Sequence, residues 1–227
     1  MNLILGIETA TSTCSIAVHR EGILLAEHSY YLDRSHSNLL APCIEHIMHD
    51  CGLELSALSA IALSKGPGSY TGLRIGTSTA KGLCYALDIP LIAINTLEAM
   101  AHGVHKYNTA HHWLCPMLDA RRMEVYTMLL DGQLNEIEAT HPLVVETTSF
   151  KDHLKDRSIL FFGNGAGKCR DILQDDNAIF LEGVEPTASQ IGRLAYQKFL
   201  RSEFEDLAYF EPFYLKEFQA TKPKVKI

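Results

Sequence analysis

The chain has 227 residues, 47% of them hydrophobic, with 20 Lys plus Arg against 27 Asp plus Glu for a formal net charge of −7. That length suits one large domain or two small ones with a sizeable core. The acidic balance argues against a general electrostatic footprint for nucleic acid, and no run of ~18 apolar residues marks a membrane span.

The N-terminal stretch 1–8 is apolar, lacks basic residues before Glu8, and reads as a first strand rather than a signal peptide. Strands follow at 15–19 and 23–29, around a turn at Arg20-Glu21-Gly22 in which Gly22 supplies a positive φ. A helix spans about 35–51, with Leu39, Leu40, Cys43, Ile44 and Ile47 at helical spacing and Gly52 at its end. A strand at 60–64, a Gly-rich turn, a helix at 71–87, a strand at 90–94 and a helix from Thr96 to Val104 complete the first half. The second half repeats this order. Strands are expected at 113–119, 124–130 and 138–145, then a short helix at 149–155, a strand at 158–162 and a second Gly-rich turn. A helix at 168–173, a strand near Ile179 and a helix at 188–200 follow.

Two antiparallel hairpins followed by crossovers, repeated, predict an α/β fold of two lobes, each βββαβαβα. This is the actin-like (ASKHA, ribonuclease H-like) arrangement, with lobes at 1–104 and 105–227. The six cysteines, Cys14, Cys43, Cys51, Cys84, Cys115 and Cys169, form no CxxC pair and sit mostly in apolar runs. They suit reduced thiols of a cytoplasmic protein better than a disulfide framework or a zinc site.

The segment Lys65-Gly66-Pro67-Gly68-Ser69-Tyr70-Thr71-Gly72-Leu73-Arg74-Ile75-Gly76 lies between a strand and a helix. It has neither the Walker A ending nor GxGxxG. It is either an anion-holding turn at a helix start or a sharp strand-to-helix connection. The helix behind it is small-sided, with Gly72, Gly76, Thr77, Ser78, Ala80 and Gly82. Small residues admit close approach of a neighbouring helix, from this chain or from a partner.

Gly6-Ile7-Glu8-Thr9-Ala10, the segment 65–76, Leu118-Asp119-Ala120-Arg121-Arg122-Met123-Glu124-Val125-Tyr126 and Pro212-Phe213-Tyr214-Leu215-Lys216 occur in that order. Together they resemble the TsaB (YeaZ) family across essentially the whole chain. The resemblance implies a catalytically degenerate subunit that pairs with its paralogue TsaD and works with the ATPase TsaE. That assembly transfers threonylcarbamoyl to the adenosine next to the tRNA anticodon. ATP and Mg²⁺ would then be bound by the partner complex, with no cofactor intrinsic to this chain. tRNA would be reached only through the complex, and a homodimer would form when TsaD is absent. The docking surface expected from the two N-terminal helices comprises Arg34, Leu39, Leu40, Cys43, Ile47, Tyr70, Leu73, Arg74, Thr77 and Lys81.

Actin-like ATPases use an acidic residue in the first hairpin of each lobe to manage Mg²⁺ and water. Here Glu8, followed by Thr9, takes the first position, and Asp119 the second. A longer Glu in the first lobe and bulky Arg121 and Arg122 in the second weaken the nucleotide reading. The arginines either obstruct phosphate or contact it. The turn Phe162-Gly163-Asn164-Gly165-Ala166-Gly167-Lys168 is either an adenosine-contacting turn, through Gly163 and Gly165, or a plain connection. An autonomous ATPase or kinase, or a glycoprotease-type metallopeptidase, is the alternative function. The sequence Glu45-His46-Ile47-Met48-His49 is not HExxH, and the HxxxH of TsaD is lost here because Leu40 follows His36. The basic tail with Lys216, Lys222, Lys224 and Lys226 is either a solvated tail or an RNA contact.

Overall fold

The computed structural model describes residues 2–32 and 36–216; Arg34, Lys222, Lys224 and Lys226 lie outside the described residues. The first sheet contains β1 (Leu3–Glu8), β2 (Thr13–Arg20), β3 (Ile23–Tyr31), β4 (Ala60–Gly66) and β5 (Leu91–Asn95), in the order β3-β2-β1-β4-β5. β1 is buried throughout because it is the central strand, antiparallel to β2 and parallel to β4. The β2–β3 turn places both Glu21 and Gly22 at positive φ, 53° and 78°. Two such residues give a turn the twist that a tight hairpin needs.

Helices α1 (His36–Asp50), α2 (Tyr70–Leu87) and α3 (Thr96–His105) belong to this half. Strand alternation divides the side chains between two faces. Leu3, Leu5 and Ile7 join Cys43, Ile44, Ile47, Ala80 and Cys84 beneath α1 and α2. Ile4, Ala60, Ala62, Ile92 and Ile94 form the opposite core.

The second sheet repeats the topology with β6 (Trp113–Asp119), β7 (Glu124–Leu130), β8 (Glu136–Val144), β9 (Ile159–Phe162) and β10 (Ala178–Leu181), ordered β10-β9-β6-β7-β8. Read in the reverse direction, it matches the first sheet strand for strand, and the duplicated actin-like fold is present. Its helices have shrunk. α4 (Lys151–Leu154) has four residues, and the predicted helix at 168–173 is only a 3-10 turn at Gly167–Cys169. Cys169 and Leu173 still point inward, but Asp171 and the run Asp175-Asp176-Asn177 are poor helix formers.

The last helix, α5 (Ala188–Leu200), follows the second half in sequence yet packs on the first sheet. Its Ile191, Leu194 and Ala195 complete the core over β1, β4 and β5. α3 contributes Leu97, Met100, Ala101 and Val104 to the second sheet's inner core. The two sheets are thus joined through a shared layer of α3 and α5. After α5 the chain runs back over the first lobe. Glu205 bridges to Leu91, Phe210 enters the α1–α2 core, and the Phe213 amide donates to the Lys65 carbonyl at 2.7 Å.

Candidate functional site

Glu8 ends β1 and is fully buried. Its Oε1 accepts from the Ala10 amide at 2.6 Å and from the Ser64 hydroxyl at 2.7 Å, while Oε2 has no partner. Burial raises its pKa to about 7, against the opposing hydrogen bonds from Ala10, Ser64 and Thr9. The carboxyl therefore closes the β1–β2 connection rather than facing an open cleft.

The Gly-rich segment packs on that same connection. The Ser69 amide donates to the Ala10 carbonyl at 2.6 Å, and Ser69 caps α2 through the Gly72 amide at 3.3 Å. A Cβ at Gly72 would overlap the Thr9 carbonyl oxygen, and one at Gly76 would overlap the Thr9 hydroxyl. Between the two readings of this turn, the local packing accounts for these glycines without a ligand. The turn is also covered from outside, since a Cβ at Gly66 would meet the Phe213 carbonyl at 2.9 Å.

In the second lobe Asp119 is held by a local cage. Its amide donates to Asn164 Oδ1 at 2.9 Å, and its Oδ1 accepts from the Arg121 amide at 3.0 Å. Its carboxylate also pairs with the Lys168 ammonium. Lys168 donates further to the carbonyls of Arg122 and Glu124, each at 2.7 Å. A cation of this chain thus fills the position beside the acid. Gly163, at φ +98°, and Gly165 press against the backbone of Met117 and of Leu118. The structure brings Glu8 and Thr9 together in one cluster, and Asp119, Gly163 and Gly165 in another. Ser64 and Lys168 are the members that sequence reasoning missed. Lys168 carried one signal, a cation directly after the Gly-rich turn.

The expected docking residues divide by exposure. Leu40, Cys43, Ile47, Leu73 and Thr77 are buried in the chain's own core, so these five do not form an outer surface. Helical periodicity identified an apolar face, and that face turns toward the first sheet. Leu39 is half-buried, and Arg34 falls outside the described residues. Tyr70, Arg74 and Lys81 engage neighbours from this same chain. The Tyr70 and Tyr214 rings pack at a 39° tilt with centroids 4.9 Å apart, and the Arg74 guanidinium lies 5.4 Å over the Tyr70 ring. Lys81 donates to the Ala208 and Phe210 carbonyls at 3.2 Å.

The outward face of α2 keeps Arg74 of the expected residues and adds Thr71, Ser78, Gly82 and Tyr85, spaced by three or four residues and all exposed. Tyr85 is 84% exposed. Beside it α1 presents Ala41, Pro42, Glu45 and His46. His46 is thus a surface residue, and His49 lies 3.6 Å from Asp50. Among the described residues no group of three or more His, Cys, Asp or Glu side chains is placed to hold a metal ion. No helix among them is long and apolar enough to cross a membrane.

A family model described as TsaD, tRNA N6-adenosine threonylcarbamoyltransferase, matches residues 28–224. The tRNA threonylcarbamoyladenosine biosynthesis protein TsaB of Bacillus subtilis is 34% identical over 82% of this chain and 81% of its own length. The protein of the same description from Escherichia coli is 30% identical over 96% of each chain. The chain belongs to the TsaB (YeaZ) family. The solved structure of YeaZ from Pseudomonas aeruginosa superposes with a TM-score of 0.82 at 27% identity, covering 95% of this chain and 100% of that one. In this TsaB-family chain His36 is buried, with Nε2 2.9 Å from the Thr11 carbonyl oxygen, so it fastens α1 to the β1–β2 connection.

Proposed function

We propose that this chain is a non-catalytic scaffold subunit for N6-threonylcarbamoyladenosine formation on tRNA. It pairs through its outer helices with a TsaD-type paralogue and serves an assembly that includes a TsaE-type ATPase. The names of its relatives place the family in this biosynthesis. The observation that carries the non-catalytic reading is the state of the two acidic positions. Asp119 is neutralised by Lys168, and Glu8 is sealed in the core with a pKa near neutrality. Glu8 is withdrawn from solvent, and the half-exposed Asp119 carboxylate is already paired with a cation of this chain, so neither is a free ligand for a Mg²⁺–phosphate group. ATP and Mg²⁺ accordingly belong to the partner complex, and tRNA is reached through that complex.

The docking surface in this reading is the exposed stripe of α2 with the adjoining face of α1. Ser78 and Gly82 leave room for a helix to approach closely, and Tyr85 offers a large aromatic anchor. The same surface can pair with itself when the paralogue is absent. Gly82→Arg is the informative substitution. Nothing lies within 4 Å of a Cβ at Gly82, and arginine is the better helix former by about 1 kcal/mol. The isolated variant is therefore expected to be as stable as wild type or more so, yet to lose co-purification with the TsaD-type partner. Undiminished pairing sinks this docking surface.

A further inference from the structure

The hairpin between β6 and β7 carries two consecutive arginines in an unusual backbone state. Arg121 and Arg122 have φ of +73° and +50°, in the left-handed region that favours glycine and asparagine. Both residues are exposed, and neither guanidinium has a hydrogen-bond or ion-pair partner among the described residues. A glycine at either position would relieve the backbone, so the turn alone does not explain the side chains.

The hairpin is also fixed from beneath. Lys168 ties the Asp119 carboxylate to the carbonyls of Arg122 and Glu124. The Glu124 carboxylate pairs with Lys216, and the Val145 amide donates to the Met123 carbonyl at 2.9 Å. Both acids of the hairpin are thereby neutralised by lysines, which leaves the charges of Arg121 and Arg122 uncompensated. On a chain with a net charge of −7, this rigid turn holds a local positive excess.

We propose that the Arg121–Arg122 hairpin is a contact for the phosphate backbone of the tRNA handled by the assembly, a proposal that rests on the function given above. Guanidinium groups bind phosphate oxygens bidentately, and a pre-held turn offers two such forks with little ordering left to do. An acidic protein surface is the competing occupant, and phosphate is favoured because the relatives are named for the biosynthesis of a modified nucleoside of tRNA.

The test uses the complete assembly with its TsaD-type partner and labelled tRNA, titrated between 50 and 200 mM salt. In the double variant Arg121→Gly, Arg122→Gly, tRNA affinity at the low-salt end falls about tenfold. The slope of log K against log salt flattens by about 1.5, as expected for two lost phosphate contacts. The melting temperature of the isolated variant stays level or rises, because glycine accepts these φ values. Arg121→Lys, Arg122→Lys restores most of the salt slope. Unchanged affinity and slope in the glycine variant overturn the proposal, and so does loss of the partner with tRNA binding by the remaining complex intact. Omission of the wild-type chain separates the two ideas. If modification proceeds without it, the scaffold reading falls and takes this contact with it. If modification requires the chain and the glycine variant binds tRNA normally, this contact alone falls.

Discussion

Glu8 shows how a residue type can keep its place in a fold while its environment changes its chemistry. A carboxylate exposed to a cleft is ionised at pH 7 and available to a cation. Glu8 is instead enclosed, with one oxygen fully used by Ala10 and Ser64 and the other without a partner. Removal from water disfavours the charged form, which is the first cause of its pKa of about 7. The sign of the stability effect follows. Between 4.5, its ordinary value, and 7 the folded state holds a proton that the unfolded state has released, so stability falls as pH rises through that window. The whole penalty is on the order of 3 kcal/mol. Glu8→Gln carries no charge at any pH and keeps an oxygen for the Ala10 and Ser64 donors. Its stability relative to wild type should therefore grow from pH 4.5 to pH 7 and then level off. Urea unfolding at pH 5 and pH 8 measures this, and an equal difference at the two values refutes it. The scaffold reading adds that the same substitution leaves tRNA modification by the assembly intact.

At the scale of elements, a glycine on a long helix can mark close packing against a neighbouring element. Gly192 on α5 faces His19 on β2 so closely that a Cβ would overlap the imidazole ring. His19 is buried, its Nε2 lies 3.3 Å from the Ser189 carbonyl oxygen, and burial lowers its pKa. Its folded form is neutral, so this contact loses stability as pH falls through 6.5 toward the lowered value. Gly192→Ala should destabilise the chain by about 1–3 kcal/mol by forcing α5 from the first sheet. A melting temperature equal to wild type would show that α5 has slack that this packing denies it. Such contacts explain what was legible in the sequence. The succession of strands and helices along the chain follows from apolar runs and turn residues, and α5 begins and ends where its pattern predicts. That α5 crosses to the other lobe's sheet is a long-range choice that no local pattern encodes. The same applies to Leu73 and Thr77. Periodicity puts them on a face of α2, but only the position of the first sheet turns that face inward. The acidic positions were legible as residues, whereas Lys168 acts across 49 residues of separation and becomes visible only in three dimensions.

For the whole molecule, the segment 205–216 connects parts that the two sheets do not join directly. It begins at the β5 edge with Glu205, passes the α2 flank where Lys81 holds two of its carbonyls, and covers Gly66 with the Phe213 carbonyl. It then packs Tyr214 against Tyr70 and places Lys216 on Glu124 of the second lobe. Two of its attachments differ greatly in expected strength. The Lys216–Glu124 pair is partly solvated, and exposed ion pairs contribute about 0–1 kcal/mol. Phe210 is only 9% exposed and belongs to the core beneath α1 and α2, where truncation to alanine costs about 3–5 kcal/mol. Burial of Phe210 should therefore hold the strap down, with Lys216 setting where its end lies. Phe210→Ala is expected to lower global stability by several kcal/mol and to speed exchange of the Phe213 amide, which the Lys65 carbonyl protects. Lys216→Ala should leave unfolding midpoints nearly unchanged and that amide still protected. The reverse ranking would place the anchor at the second lobe. It would make the strap a tie between lobes rather than an extension of the first lobe's core, and Tyr70, Arg74 and Lys81 would then report on lobe position instead of on the packing of α2.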